Sequence, residues 1–316
     1  MLLTASLLAA LAVALAWPVP IVLARATWTS AAPGVALLLW QAIALAGGLS
    51  MIGALLTYGL IPFGDRLIGA LVAFFAAIAE GALPSGANFF QMFALSGAVL
   101  LGVHLLLNLA MTFVRASRQR SRHRQLVGLL SAPMPERPGT RILDSAAPVA
   151  YCLPGAPRSM TVLSAGLLEL LDDEQLRAVV AHERAHVNQR HHLVLLAFRA
   201  WRSALPWFPI ASRAQDAVGV LVEMLADDRA RREVDDDVLA QAVALVASAD
   251  DRTDGEPAIG RRDGIAAASA ASVGRRVARL VERRSPLALP ARIAVGAAAV
   301  ALVAGPTVLL ILPTFD

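Results

Sequence analysis

Long uncharged stretches alternate with short charged ones along the first third of the chain. Leu2–Leu23 carries no charge and is broken only by Pro18 and Pro20, and Ala31–Leu60 runs 30 residues without one. Leu67–Leu83 has only Glu80 near its end, and Phe89–Val114 follows a Pro84-Ser85-Gly86 breaker. A last apolar run covers Ile293–Leu312. Helices of about 20 apolar residues cross a hydrocarbon layer about 30 Å thick, so each run is read as a span. The first run lacks a basic leader and a small-residue cleavage site and is followed by further spans, so it is expected to be an uncleaved helix and not a signal peptide. The pattern predicts a four-helix transmembrane region over 1–114 and a C-terminal transmembrane helix over 292–316. His104 and Asn108, one turn apart on the fourth run, should face other helices or a cavity, because polar groups at that depth avoid lipid.

Arg115, Arg118, Arg120, Arg122 and Arg124 follow the fourth run, and Arg283, Arg284 and Arg292 flank the last. By the positive-inside rule both boundaries are cytoplasmic, which makes 115–291 a polar domain on the cytoplasmic side of a multi-pass cell-membrane protein. Four spans before it put the N-terminus inside as well.

Composition agrees with this frame. Apolar residues make up 57% of 316 positions and charged ones 16%, which excludes a simple soluble enzyme. All 28 basic residues are arginine, yet the net charge is only +4, so no direct nucleic-acid partner is expected and the lipid bilayer is the natural counterpart of the arginine clusters. A single cysteine, Cys152, excludes an internal disulfide framework and a thiolate-rich metal site.

Within the polar domain, Pro133–Gly139 reads as a turn or linker, and Pro148, Pro154, Gly155 and Pro157 keep the next stretch out of helix. Ser159–Ser164 reads as a strand. A helix should begin at Asp172 or Asp173, with Glu174 or Gln175 completing its cap, and run through His182 to about Asn188. Segment 193–210 is apolar, with Arg199, Arg202, Trp201, Trp207 and Phe208, and suits an interfacial helix lying on the bilayer or packing against the preceding helix. Arg229 to Asp237 reads as solvated surface, 241–249 as helix, 250–264 as a mobile loop, and 266–284 as a small-residue helix with an arginine face.

The expected helix carries His182-Glu183-Arg184-Ala185-His186. Its spacing puts His182 and His186 on one face, where two imidazoles reach one tetrahedral zinc ion (Zn2+), and sets Glu183 to take a proton from a water at the metal. The competing reading is two core histidines beside an exposed Glu183. A third ligand should come from a second helix. Glu223 in Leu221-Val222-Glu223-Met224-Leu225-Ala226-Asp227-Asp228 is the candidate, since a carboxylate inside an apolar helix is costly unless it binds metal or is paired. Asp227, one turn on, can hold a zinc-bound histidine in place. His191, with His192 and Arg190, is a candidate for stabilising the oxyanion of peptide hydrolysis.

The His182–His186 motif, Arg190-His191-His192, Leu205-Pro206-Trp207-Phe208-Pro209 and the Glu223–Asp227 helix together resemble the BlaR/MecR-type family of integral-membrane zinc metallopeptidases. The two-helix layout is also similar to the HtpX-like and prenyl-protein membrane endopeptidases. The resemblance implies a gluzincin with His182, His186 and Glu223 as zinc ligands, Glu183 as general base and Asp227 in support. It also implies that the strand at Ser159–Ser164 borders the cleft, where an extended peptide adds to its edge. The expected fold is thus a multi-pass α-helical membrane protein with a mostly α-helical zincin metallopeptidase domain containing a small β-element. The expected function is zinc-dependent endoproteolysis of a peptide or protein substrate. Relatives of this type act with a winged-helix repressor, which makes such a repressor the implied soluble partner. Antibiotic-sensing members carry an extracellular domain after the last span where this sequence has Pro313–Asp316, so direct β-lactam sensing is not expected. The alternatives are a non-catalytic membrane signal transducer coupled to a soluble repressor and, from the span count with His104, Asn108 and Glu80, a transporter.

Overall fold

The structure is a computed structural model that describes residues 1–81, 86–153, 159–206, 209–250, 270–282 and 287–311. Among these, helices α1 (Leu2–Ala16), α2 (Pro18–Arg25), α3 (Trp28–Ala31), α4 (Pro33–Gly59), α5 (Leu67–Glu80) and α6 (Phe89–Leu130) come first. Strands β1 (Ser131–Pro133), β2 (Thr140–Leu143), β3 (Ala150–Leu153) and β4 (Met160–Ser164) follow. Helices α7 (Ala165–Leu170), α8 (Asp173–Asn188), α9 (His191–Ala204), α10 (Pro209–Ala230), α11 (Asp236–Asp250), α12 (Ala270–Val281) and α13 (Leu289–Ile311) complete the chain. The expectations for Pro84-Ser85, Pro154 to Pro157, Trp207-Phe208, 251–269, Arg283-Arg284 and 312–316 lie outside the described residues.

The chain divides into two compact units. The first comprises 1–110, 200–214 and 287–316. In it α1 and α13 pack on α4. Gly59 lets α4 and α6 touch, because a Cβ there would lie 2.8 Å from the Leu95 backbone nitrogen and 2.9 Å from the Gln91 carbonyl oxygen. Four segments are long and apolar enough to cross a membrane: Leu2–Arg25, Pro33–Gly59, Phe89–Leu130 and Leu289–Ile311. The protein is therefore a multi-pass membrane protein. The expected third span is corrected: α5 has 14 residues and stops at Gly81, whose φ of 68° is left-handed. At 1.5 Å per residue it reaches only about 21 Å, short of a bilayer core. In contrast α6 does not stop at Val114 but continues through the arginine cluster to Leu130, 42 residues in all.

The end of the expected interfacial segment belongs to this first unit. The His104 ring Nε2 donates to the Ala204 carbonyl at 3.1 Å and the Ser203 hydroxyl donates to Asn108 Oδ1 at 2.6 Å. The polar groups of α6 thus face a helix, as their depth requires. Leu195, Leu196, Phe198, Ala200 and Ala204 of α9 are buried in protein.

The second unit comprises 111–199 and 215–286. Its sheet has the order β1-β2-β4-β3, with β2 and β4 parallel and the outer pairs antiparallel. Val127 of α6 covers one face together with Leu143, Tyr151, Leu153 and Val162. The sequence pattern revealed only β4, since β1 to β3 are three or four residues long and too short to show alternation. The strand implied to offer its edge is corrected too: β4 is paired on both sides, and β3 is the outer strand that packs against α8.

Ser164 ends β4 and begins α7, its hydroxyl accepting from the Leu167 and Val149 amides at 3.2 and 2.8 Å. Helix α8 is started by Asp172, whose Oδ1 accepts from the Glu174 and Gln175 amides, while the Gln175 side chain accepts from the Asp172 amide. This capping box satisfies amides that the helix cannot. Ala178 and Ala181 then bury against Ala230, Leu239, Ala240, Ala242 and Leu280 of α10 to α12. The small alanines let α8 and α10 approach, and the approach brings their polar residues face to face.

Candidate metal centre

His182 and His186 are both 8% exposed on the buried face of α8, one turn apart. Glu223 projects from α10 toward them. The distance between the two histidine Nε2 atoms is 3.2 Å, from His182 Nε2 to Glu223 Oε2 3.3 Å, and from His186 Nε2 to Glu223 Oε1 3.5 Å. Ligands held about 2.0–2.1 Å from a tetrahedral zinc ion lie about 3.3 Å from one another, so the three atoms already stand at ligand spacing. Two neutral nitrogen donors and one carboxylate also form a donor set that suits zinc. Among the described residues this is the group of histidine and acidic side chains able to hold a metal ion. Glu183 is half-buried and follows His182 directly in the chain.

The far nitrogens of both histidines have partners. His182 Nδ1 lies 2.9 Å from Asp227 Oδ1, and Asp227 is 1% exposed. His186 Nδ1 lies 3.1 Å from His191 Nδ1, and His191 Nε2 lies 2.9 Å from Gln189 Oε1. His191, expected as an oxyanion group, is 2% exposed and meets the Nδ1 side of His186, while the Nε2 of His186 is the atom beside Glu223. Of its neighbours, Arg190 is exposed, and His192 lies half-buried beside Arg120 and Arg190, its pKa lowered by burial first and by their charges next.

A cation the sequence reading left unassigned faces the cluster instead. Arg276 of α12 is 8% exposed and binds Asp227 through both arms of its fork, Nε to Oδ2 at 2.8 Å and Nη2 to Oδ1 at 2.7 Å. Its Nη1 lies 3.3 Å from Glu223 Oε2. One turn on, Arg279 donates to Asp228 at 2.8 Å, so α12 is held to α10 by two arginine–aspartate pairs. The only signal in the sequence was the arginine face of α12, which does not say what it meets.

These contacts set the charge of the site. Burial opposes ionisation of Glu223, but the hydrogen bond from His182 and the charges of His186 and Arg276 outweigh it and hold its carboxyl well below the usual range. Burial likewise opposes ionisation of Asp227, and Arg276 and His182 overcome it, holding its pKa down to about 2. Burial would lower the His182 pKa, yet its hydrogen bonds with Asp227 and Glu223 raise it to about 9. Arg276 stays charged, because its carboxylate neighbours, Glu183 included, outweigh its burial.

Residues 115–219 match Peptidase family M48. They form an M48 peptidase domain. The match takes in α8 with its His-Glu-Arg-Ala-His motif but ends before Glu223, Asp227 and Arg276, which join the site through folding. No solved structure matches the chain. The family match and the His-His-Glu cluster together make the protein a zinc-dependent membrane metalloendopeptidase.

Proposed function

We propose that the M48 domain cleaves peptide bonds with zinc held by His182, His186 and Glu223, with Glu183 as general base and Asp227 as a positioning residue. The observation that carries this reading is the mutual spacing of 3.2 to 3.5 Å among the three ligand atoms. When bound, the ion acidifies a water and polarises the scissile carbonyl. Glu183 takes one proton as the water oxygen bonds to the carbonyl carbon, and returns it to the amine nitrogen as the C–N bond breaks. Arg276 keeps Asp227 and Glu223 ionised, so that Asp227 can orient His182 and Glu223 remains a ligand. An extended substrate pairs with the outer edge of β3, the strand beside α8.

The arginines after Val114 support a cytoplasmic catalytic domain. With α5 too short to cross, three spans precede them, which puts the N-terminus outside and Arg25, after the first span, inside. Within the BlaR/MecR-type reading, a soluble winged-helix repressor is a substrate this domain would meet there. The test is peptide cleavage by the purified full chain against Glu183→Gln, each loaded with zinc. Loss of cleavage by about 10²-fold or more with zinc content retained is expected, given what general acid–base catalysis contributes. Equal cleavage by both overturns the role of Glu183 as general base, whereas no cleavage by either zinc-loaded protein favours a non-catalytic transducer.

A further inference from the structure

The His191 ring is buried, polar and in contact with a metal ligand, yet the reaction as described gives it nothing to do. Its placement is specific. Helix α8 ends at Asn188, Gln189 caps it, and Arg190 then adopts φ of 53°, the non-glycine residue with positive φ among the described residues. Side chains with a Cβ rarely occupy this left-handed region, and such local strain is retained where the surrounding structure demands it. Here the left-handed residue reverses the chain at once, so that His191, the first residue of α9, folds back onto the helix it has just left. The His186 and His191 rings meet edge to face with centroids 4.9 Å apart.

With a metal held at His186 Nε2 and His191 neutral, the contacts admit one consistent arrangement of protons. His186 Nε2 points to Glu223 and to the metal position, so it must be unprotonated to bind, and its Nδ1 then carries the hydrogen. That Nδ1–H donates across 3.1 Å to His191 Nδ1, which must therefore be the acceptor. The hydrogen of His191 accordingly sits on Nε2, where Gln189 Oε1 accepts it at 2.9 Å. Gln189 thus fixes the tautomer of His191, and His191 fixes the tautomer and rotation of His186. On the other ligand Asp227 does the same for His182. The two ligands differ in one respect, since His182 is backed by an anion and His186 by a neutral acceptor.

We infer that His191 is a positioning residue that orients His186 for zinc through a neutral Gln189–His191–His186 hydrogen-bond chain. The inference rests on the zinc reading above. It requires an acceptor at the place of His191 Nδ1, not an imidazole as such. Asparagine puts its Oδ1 near that place, whereas phenylalanine fills the volume without an acceptor.

The test is zinc affinity of the full chain in detergent micelles, by competition with a chromophoric chelator, with the visible spectrum of the cobalt-substituted protein as second readout. His191→Phe should weaken zinc binding about 10–100-fold, the usual effect of removing a group that holds a metal ligand in place, and should alter the cobalt spectrum. His191→Asn should stay within a few-fold of wild type with an unchanged spectrum. Exposed Gln189 can be changed without disturbing packing, and Gln189→Leu should weaken binding by a smaller factor. Unchanged affinity in His191→Phe overturns the inference, as does a loss in His191→Asn as large as in His191→Phe. If His191→Phe does not fold, His191→Asn decides: affinity more than about tenfold below wild type refutes the acceptor role. Wild-type protein that binds no zinc would refute the metal centre itself, a different result from wild type and His191→Phe binding equally.

Discussion

Replacing Arg276 by methionine removes the guanidinium that faces Asp227 and Glu223 and leaves its aliphatic volume largely filled. Asp227 is 1% exposed and accepts two hydrogen bonds, at 2.7 and 2.8 Å, from Arg276. Without them it keeps His182 as a partner but remains a carboxylate out of reach of water. Removing one member of a buried ion pair costs about 3–5 kcal/mol, because the uncompensated charge stays behind. The pair itself contributes less, so Asp227→Leu in the Arg276→Met background should recover part of the loss. The expected coupling energy in the double-mutant cycle is about 2–3 kcal/mol. Arg276→Lys keeps the charge but not the two-armed geometry and should fall between wild type and Arg276→Met. The measurement is urea unfolding of the metal-free chain in micelles, followed by circular dichroism near neutral pH. The Asp227 pKa near 2 lies below its usual 3.8, so the pair's stabilisation is complete above about 3.8 and fades only as the pH falls through about 2. A loss below about 1 kcal/mol, or two single changes that simply add, would refute the claim that Arg276 neutralises the buried carboxylates.

Zinc affinity should rise with pH between about 7 and 9 and level off above, since the His182 pKa near 9 means a proton must leave before metal binds. In the metal-free protein that same proton stabilises the fold below the usual 6.5 and its contribution is lost as the pH rises through about 9; chelator competition at several pH values checks the affinity, and a flat profile contradicts the assignment. Gly166→Ala should destabilise by about 1–3 kcal/mol in the same urea assay, because a Cβ there would lie 1.9 Å from the Ala146 carbonyl oxygen and the backbone must move; an unchanged midpoint speaks against this close approach. Asp172→Ala should cost about 1 kcal/mol by removing the cap of α8, with Asp172→Asn nearly neutral, and equal losses in both would point away from capping.

The motif His182 to His186 was legible because it is local: a helix of known pitch brings residues four apart to one face whatever surrounds it. The Asp172 cap was legible for the same reason. Glu223 and Asp227 stood out because ionised groups within apolar helical sequence demand a partner, though the sequence names the demand and not the partner. The apolar runs told of a membrane, while their number depended on a stop at Gly81 that shortens α5 below bilayer thickness.

Arg276 and His191 show where local reasoning ends. Arg276 lies 49 residues from Asp227, and its fork meets that carboxylate only because α12 docks on α10, a pairing that periodicity cannot specify. His191 looked like a group for the reacting carbonyl because it follows the motif closely. The left-handed turn at Arg190 instead folds it behind His186. The sequence by itself thus determined the membrane class, the catalytic helix and the candidate ligands, all set by short-range pitch and by the cost of burying charge. The tertiary structure alone decided which groups back those ligands and which strand, β3 and not β4, lies at the sheet edge next to α8, because these follow from contacts between segments far apart in the chain.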